Sequence, residues 1–391
     1  MNLDPVNTIF NTPVENEDLF GLKIYSNCNN EVYKIPEPPA CKTCKKLICK
    51  PLKDIGIDIN EINKKSTWKP LGKGGMNIVY DASYDKTQLA LRLTSVLDRK
   101  ILGLEQIGLL YQTKLSKTKQ DGGLECPYIA KVFDFGIYEN NNNVSLPKKG
   151  VYGILEKLPQ DLLERILNGS TFTEENLKIM TKQILKALSC MHNNNIFHFD
   201  IKPENIMMCD KENQNIKLID FGLCYTYNEK NTSSDGNLTQ MRGTPNAMYL
   251  SPGYEYRRNK KIKDRPYPID DLWSVGIVMC LILSPDSDLL TNFFPRTWDV
   301  ATFTRKNIKP DGTYTSTTGV TYSKQCIDFI EKIFNTVDSK KEPTETFTKL
   351  TADELLQDPW FQEVKGGKRK SRNFRRKRNK KTRSKKLKRN K

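Results

Sequence analysis

Positions 200, 202 and 205 hold an aspartate, a lysine and an asparagine within His198-Phe199-Asp200-Ile201-Lys202-Pro203-Glu204-Asn205, and Asp220-Phe221-Gly222 follows fifteen residues after Asn205. Two carboxylates, an amide and a cation in this order suit transfer of a phosphoryl group, a reaction that needs positioning and charge neutralisation rather than covalent help. Asp200 would accept the proton of an attacking hydroxyl, Asn205 and Asp220 would hold Mg²⁺ with hard oxygen ligands, and Lys202 would steady the γ-phosphate of ATP.

Such side chains act only if a frame holds them. Ile201 and Ile206-Met207-Met208 are apolar neighbours able to pin the first loop onto a core, and Ile216-Lys217-Leu218-Ile219-Asp220 reads as a short strand ending in a carboxylate at a glycine turn. Upstream, Thr173-Glu174-Glu175 supplies a cap and early acids, after which Leu177, Met180, Ile184, Leu188 and Met191 recur at helical spacing. That pattern predicts a helix leading into the loop at Asp200. β-rich runs at Ile78-Val79-Tyr80, Leu89 to Leu93, Ala130 to Phe135 and Val151 to Leu155, with one helix from Ile101 to Leu115, predict a small sheet-dominated lobe; the remainder is expected to be helical. Two polar insertions, Thr118 to Gly123 and Asn140 to Lys149, interrupt it.

The two segments around Asp200 and Asp220 resemble the catalytic and metal-binding loops of eukaryotic-type protein kinases, and the lysine two after the aspartate resembles the serine/threonine branch. Further landmarks appear in family order from about Trp68 to Phe361. Leu71-Gly72-Lys73-Gly74-Gly75-Met76-Asn77-Ile78-Val79-Tyr80 resembles the glycine-rich phosphate cover. Gly153-Ile154-Leu155-Glu156-Lys157-Leu158-Pro159 resembles the strand and hinge that meet adenine, with Leu155 in the gatekeeper place and Asp161 near the ribose. Arg242-Gly243-Thr244-Pro245 resembles the loop receiving the substrate residue. Asp271-Leu272-Trp273-Ser274-Val275-Gly276 resembles the start of the central buried helix, whose aspartate anchors the catalytic loop backbone in the family. Leu350 to Phe361 resembles the closing helix. The resemblance implies an α+β, bilobal protein-kinase fold: an N-lobe over 68–158, a C-lobe over 159–361, an N-terminal extension over 1–67 and a disordered basic tail over 362–391. It also implies ATP and Mg²⁺ as cofactors, held by Leu71, Gly72, Gly74, Gly75, Val79, Arg92, Glu105, Glu156, Leu158 and Asp161 around the nucleotide and by Asn205 and Asp220 at the metal.

Departures from the family pattern are equally specific. In Leu89-Ala90-Leu91-Arg92 an arginine stands where the family has a lysine on its third strand. A guanidinium is wider and planar and tends to pair bidentately with a carboxylate, for which Glu105 is the candidate. Full capture by Glu105 would remove one preorganised donor, at a cost on the order of 3 kcal/mol or about a hundredfold in rate, which predicts a slow enzyme rather than a dead one. Asn77 occupies the third glycine's place and should stiffen the phosphate cover. Phe199 replaces the arginine that receives an activation-segment phosphate in the family, which disfavours control by activation-loop phosphorylation; Thr232, Ser233, Ser234 and Thr239 are candidate phosphosites of a kind that is usually silent. Ser251-Pro252-Gly253 and Lys349 replace both partners of one buried ion pair; Glu255 with Lys349 is a displaced version.

The formal net charge of +17 lies almost wholly at one end, because residues 366–391 contain sixteen Lys and Arg and no acid. Such a run neutralises phosphates, binds acidic surfaces or serves nuclear localisation; with Phe374 its single aromatic residue, electrostatic nucleic-acid contact without base stacking is the most it implies. Ten cysteines, Cys190, Cys224 and Cys280 among them, read as reduced thiols. Cys28, Cys41, Cys44 and Cys49 contain one Cys-x-x-Cys pair, but their spacing matches no compact zinc pattern and free cysteines are the favoured reading. Two histidines, His192 and His198, leave Ser-His-Asp hydrolases and histidine-rich metalloenzymes little to build from. No signal peptide is visible, and Leu272 to Leu283 is too short an apolar run for a bilayer, so a soluble intracellular protein, cytoplasmic or nuclear, is expected. The residues and the resemblance together imply an ATP-dependent kinase of protein Ser/Thr hydroxyls. The competing expectation is a pseudokinase scaffold that recruits partners through its tail, and a weaker one is a nucleic-acid-binding protein with a relic kinase domain.

Overall fold

A computed structural model describes residues 70–74, 76–84, 87–95, 99–139, 149–210, 214–226, 251, 267–283, 308–316, 318–335 and 350–362. Residues 1–67, the basic tail from 366, Gly75, Gly253, Glu255, Lys349, Thr244 with its flanking loop, the four Ser and Thr from 232 to 239 and the insertion from Asn140 to residue 148 lie outside the described residues.

The small lobe is a five-stranded antiparallel sheet of β1 (Pro70–Lys73), β2 (Asn77–Tyr84), β3 (Thr87–Thr94), β4 (Val132–Glu139) and β5 (Lys149–Glu156), in the order β1-β2-β3-β5-β4. Alternation along β3 sends Leu89, Leu91 and Leu93 to one face and Ala90 and Arg92 to the other. Helix α1 (Arg99–Ser116) packs on the Arg92 side, where Leu102 and Leu109 form a cluster with Val132 and Val151. A Cβ at Gly153 would lie 2.8 Å from Leu109, so glycine is what lets helix and sheet approach so closely. β4 begins at Val132 rather than Ala130, because the stretch before it bonds to the large lobe: Ala130 N–H donates to Leu218 and Leu218 N–H to Tyr128.

In the large lobe β6 (Gln160–Asp161) leads into α2 (Leu162–Leu167), followed by α3 (Glu174–Asn193) and β7 (Ile196–Phe197). A Thr173–Asn176 capping box starts α3, and Leu177, Met180, Ile184, Leu188 and Met191 are all buried. β8 (Ile206–Met208) and β9 (Ile216–Leu218) form a hairpin completed by β6, and β10 (Tyr225–Thr226) pairs with β7. Helix α4 (Pro268–Leu283) is buried from Ile269 onward and forms the centre of the lobe. The hairpin of β11 (Tyr314–Thr315) and β12 (Thr321–Tyr322), then α5 (Lys324–Asn335), α6 (Ala352–Leu356) and a 3₁₀ turn at Pro359–Phe361, close the domain. Glu174 ties these pieces, accepting from Ser323 Oγ and from Trp360 Nε1 at 2.6 and 2.8 Å. The lobe is thus less purely helical than expected, since short hairpins satisfy the backbone where loops must turn sharply.

One expectation is corrected. Cys190 is not a free thiol: it forms a disulfide with Cys126, their Cα atoms 5.6 Å apart. Leu115 accepts from Cys126 N–H at the end of α1, and this holds the chain against α3, where Cys190 faces it at bridging distance. Cys209, Cys224, Cys280 and Cys326 are thiols outside the disulfide, and burial pushes those of Cys209 and Cys280 up to about 11 and about 12.

Candidate active site

The loop that carries Asp200 hangs from Asp271. This carboxylate on α4 is fully buried and accepts from the backbone N–H groups of His198 and Phe199 at 2.9 and 2.8 Å, and its Oδ2 lies 2.8 Å from His192 Nε2. Burial alone would raise the Asp271 carboxyl, but His192 and the loop donors more than offset it and hold it below the usual range. Phe199 takes a left-handed conformation, φ +59°, which turns the chain so that Asp200 faces the cleft. His198 Nδ1 accepts from Asp200 N–H at 3.3 Å and its ring sits 4.8 Å from that of Phe221.

Asp200, Lys202 and Asn205 converge in one turn. Lys202 Nζ is 3.1 Å from Asp200 Oδ2, and Asn205 Nδ2 donates to both the carbonyl and Oδ2 of Asp200 at 2.8 and 2.7 Å. Both amide protons of Asn205 are therefore used on Asp200, which leaves its acceptor oxygen as the group a hard cation could take. The peptide carbonyl of Asn205 accepts from Ile219 N–H at 3.0 Å, continuing the Ile206↔Leu218 pairing of β8 and β9. This fixes the segment at Asp200 to the residue before Asp220.

Asp220 is also left-handed, φ +61°, and Gly222 N–H points at its Oδ1. Arg92 Nη2 lies 2.8 Å from Glu105 Oε1 and 3.1 Å from Asp220 Oδ1, so one nitrogen links α1 to the metal-loop carboxylate. Burial would raise the Asp220 carboxyl, yet Arg92 holds it below its usual range; in turn Asp220 and Glu105 keep the buried guanidinium charged. Sequence reasoning named Arg92 and Glu105 but missed two members of this network. One is the Arg92–Asp220 contact. The other is Asn77, whose Nδ2 donates to Glu105 Oε1 at 2.6 Å. Strand alternation was the available signal, since Asn77, Val79 and Arg92 share a face once Val79 pairs with Arg92.

Above the cleft, Leu71 is exposed, Gly72 pairs with Val79, and Val79 in turn stands across from Arg92. A Cβ at Gly72 would meet nothing within 4 Å and one at Gly74 only the Asn77 carbonyl at 3.8 Å, so packing among the described residues does not demand these glycines. They leave open backbone where a phosphate chain could approach. Along the back edge Ala90 pairs with Leu155 and Leu89 with Glu156. The Glu156 carboxylate accepts from Lys217 Nζ at 2.7 Å and from Lys131 N–H at 3.1 Å, and its own N–H donates to the Lys131 carbonyl. Leu158 is half-buried beside it. Asp161 caps α2 by accepting from Glu164 N–H at 2.7 Å, and burial raises its carboxyl. Ser251 Oγ donates to Asp270 Oδ1 at 2.6 Å at the base of α4.

The donor set suits a magnesium nucleotide. Mg²⁺ takes one or two carboxylate or amide oxygens and completes its shell with phosphates and water. Asp220 and Asn205 offer such oxygens, and Arg92 retains a buried Nε with no partner among the described residues.

A five-stranded lobe with one helix, set over a helical lobe whose paired loops present Asp200, Asn205 and Asp220, defines a two-lobed phosphotransfer domain. Known proteins agree. The sequence profile described as the protein kinase domain matches residues 66–361, and the chain belongs to that family. It is 27 % identical over 323 residues to calcium-dependent protein kinase 3 of Plasmodium berghei, covering 76 % of this chain and 46 % of that protein. It is 30 % identical over 232 residues to mouse death-associated protein kinase 2, covering 58 % and 53 % respectively. Mouse serine/threonine-protein kinase D3 is 30 % identical over 233 residues, with 58 % of this chain and 23 % of that protein covered. The chain thus spans about half or less of the curated relatives it matches.

Proposed function

We propose that this chain is an ATP- and Mg²⁺-dependent protein kinase acting on serine and threonine hydroxyls. The observation that carries the reading is the hydrogen bonding of Asn205, which orients Asp200 through its amide and fastens Ile219, next to Asp220, through its carbonyl. A base and two metal-ligand positions are thereby built as one unit. A pure binding scaffold has no use for an oriented base.

In this reading Asp200 accepts the hydroxyl proton, and Lys202, 3.1 Å from Asp200, stabilises charge on the transferring group. Bound Mg²⁺ supplies charge neutralisation at the phosphates, with Asn205 and Asp220 as its protein ligands. Leu71, Gly72, Gly74, Gly75 and Val79 cover the nucleotide, Glu156 and Leu158 meet the adenine edge, and Asp161 approaches the ribose. Thr244 lies on the loop that receives the substrate residue. Arg92 slows the reaction by dividing its charge between Glu105 and Asp220. The sixteen cations of residues 366–391 support an electrostatic contact with an acidic partner surface. Use of ATP supports an intracellular setting, cytoplasmic or nuclear. Among the described residues no helix is long and apolar enough to cross a membrane.

The test is γ-phosphate transfer from ATP to a generic basic protein by purified chain, run beside Asp200→Asn. The expected result is transfer by the wild type onto Ser and Thr and its abolition in the variant. Equal signal from both would assign the transfer to a contaminant and reject the reading.

A further inference from the structure

Asn77 stands where the resemblance places a glycine, and its side chain makes a contact no glycine could make. Its Nδ2 donates to Glu105 Oε1 at 2.6 Å, and Arg92 Nη2 donates to the same oxygen at 2.8 Å. The amide orientation follows from chemistry, because only the NH₂ end can face a carboxylate. Asn77 Oδ1 is left buried without a partner among the described residues, and so is Arg92 Nε. In the β2–β3 register Asn77 pairs with Thr94 and Val79 with Arg92, which makes Asn77 and Arg92 diagonal neighbours on the cleft face.

An arginine beside a carboxylate ordinarily closes a two-pronged pair through two nitrogens. Here it does not. Glu105 meets Arg92 through one oxygen and one nitrogen, and that oxygen is shared with Asn77. We propose that Asn77 is a positioning residue for Arg92: by donating to Glu105 it prevents the two-pronged pair, so that the guanidinium is not captured whole and its remaining N–H groups are kept for a phosphate oxygen of the nucleotide. The two departures from the family pattern then form one compensating pair. Asn77 makes an arginine usable where a lysine, with a single compact charge, needs no such restraint.

The inference rests on the nucleotide-binding reading above and is tested by a double-mutant cycle of Asn77→Ala and Arg92→Lys. Affinity for a magnesium complex of a non-hydrolysable ATP analogue is measured by calorimetry, with KM for ATP and kcat alongside. Asn77→Ala should weaken binding about tenfold when Arg92 is present and less than about twofold beside Arg92→Lys, a coupling of at least about fivefold, or about 1 kcal/mol. KM should move more than kcat. Asn77→Asp keeps the size and removes the donor, so it should weaken binding at least as much and serves where the alanine variant folds poorly. Asn77→Gly should match Asn77→Ala. Equal losses in both arginine and lysine backgrounds, no loss at all, or a glycine variant that differs from the alanine variant would each overturn the proposal, the last by tracing the effect to backbone freedom. Failure of the wild type to bind the analogue would instead reject the kinase reading, and shows in the first titration.

Discussion

Arg92 and Asp220 touch, Nη2 to Oδ1 at 3.1 Å, although one lies on the third strand of the small lobe and the other two residues past the end of β9 in the large lobe. The contact joins the lobes, and it also places a fixed cation on a carboxylate assigned to Mg²⁺. Metal and guanidinium therefore compete for the same charge. A lysine is more strongly hydrated and lacks the planar fork, so it should hold Asp220 less firmly.

Arg92→Lys is accordingly expected to lower the Mg²⁺ concentration for half-maximal transfer, by about three- to tenfold, and to preserve or raise kcat. Magnesium titrations at saturating ATP check this. Superimposable curves for the two proteins would show that Arg92 leaves Asp220 free once nucleotide is bound.

His198 sets the expected response to acid. Burial pulls its pKa below the ordinary 6.5, even though Asp271, Asp200 and Asp220 act in the opposite direction. The unfolded chain thus takes up a proton near pH 6.5 that the folded protein refuses, so stability falls as pH drops below that value, by at most about 1.4 kcal/mol per unit. Asp271, held below its ordinary 3.8, contributes stability that is lost only at pH below that value. Melting temperatures from pH 7.5 to 5 should decline for the wild type and decline less steeply for His198→Gln. An identical slope in both would remove His198 as the cause.

Much of this arrangement was legible in the chain because short-range rules governed it. The Thr173 cap, the stripe from Leu177 to Met191 and the apolar run in α4 follow from periodicity and capping, and the loops at Asp200 and Asp220 from residue type and order. The partnership of Arg92 with Glu105 followed from charge and the family order of elements. What escaped were contacts fixed by three-dimensional register. Asn77 reaching Glu105 needs the β2–β3 pairing, and Cys126 meeting Cys190 needs the loop after α1 to be bonded onto β9. Neither pairing leaves a local mark, since the cysteines are 64 residues apart and each sits in an ordinary apolar or mixed setting.

That disulfide should be a measurable brace. Closing 64 residues removes chain entropy from the unfolded state worth about 4 kcal/mol. Denaturant midpoints with and without thiol reductant should therefore differ for the wild type, whereas Cys126→Ser/Cys190→Ser should show one reductant-independent midpoint near the reduced value. Coincident wild-type midpoints would mean that the bond adds no stability in solution.

Gly108 offers the sharpest separation of architecture from ligand contact. It lies on α1 three residues after Glu105, and a Cβ there would come within 2.6 Å of Gly222 N and 2.8 Å of Phe221 C. These are backbone atoms of the metal loop, so no side chain can swing aside to make room. Gly108→Ala must push α1 away from Asp220-Phe221-Gly222 and draw Glu105 from Arg92. Overpacking of this kind costs about 1–3 kcal/mol, and kcat is expected to fall at least about tenfold with the helical signal retained. Gly74→Ala is the contrasting case, because its Cβ would meet only the Asn77 carbonyl at 3.8 Å and the fold has no reason to respond. Its effect should appear in KM for ATP with an unchanged melting temperature. A Gly108→Ala enzyme with wild-type kcat would show that α1 can slide without disturbing Arg92, and that the close approach of helix to metal loop is not what assembles the site.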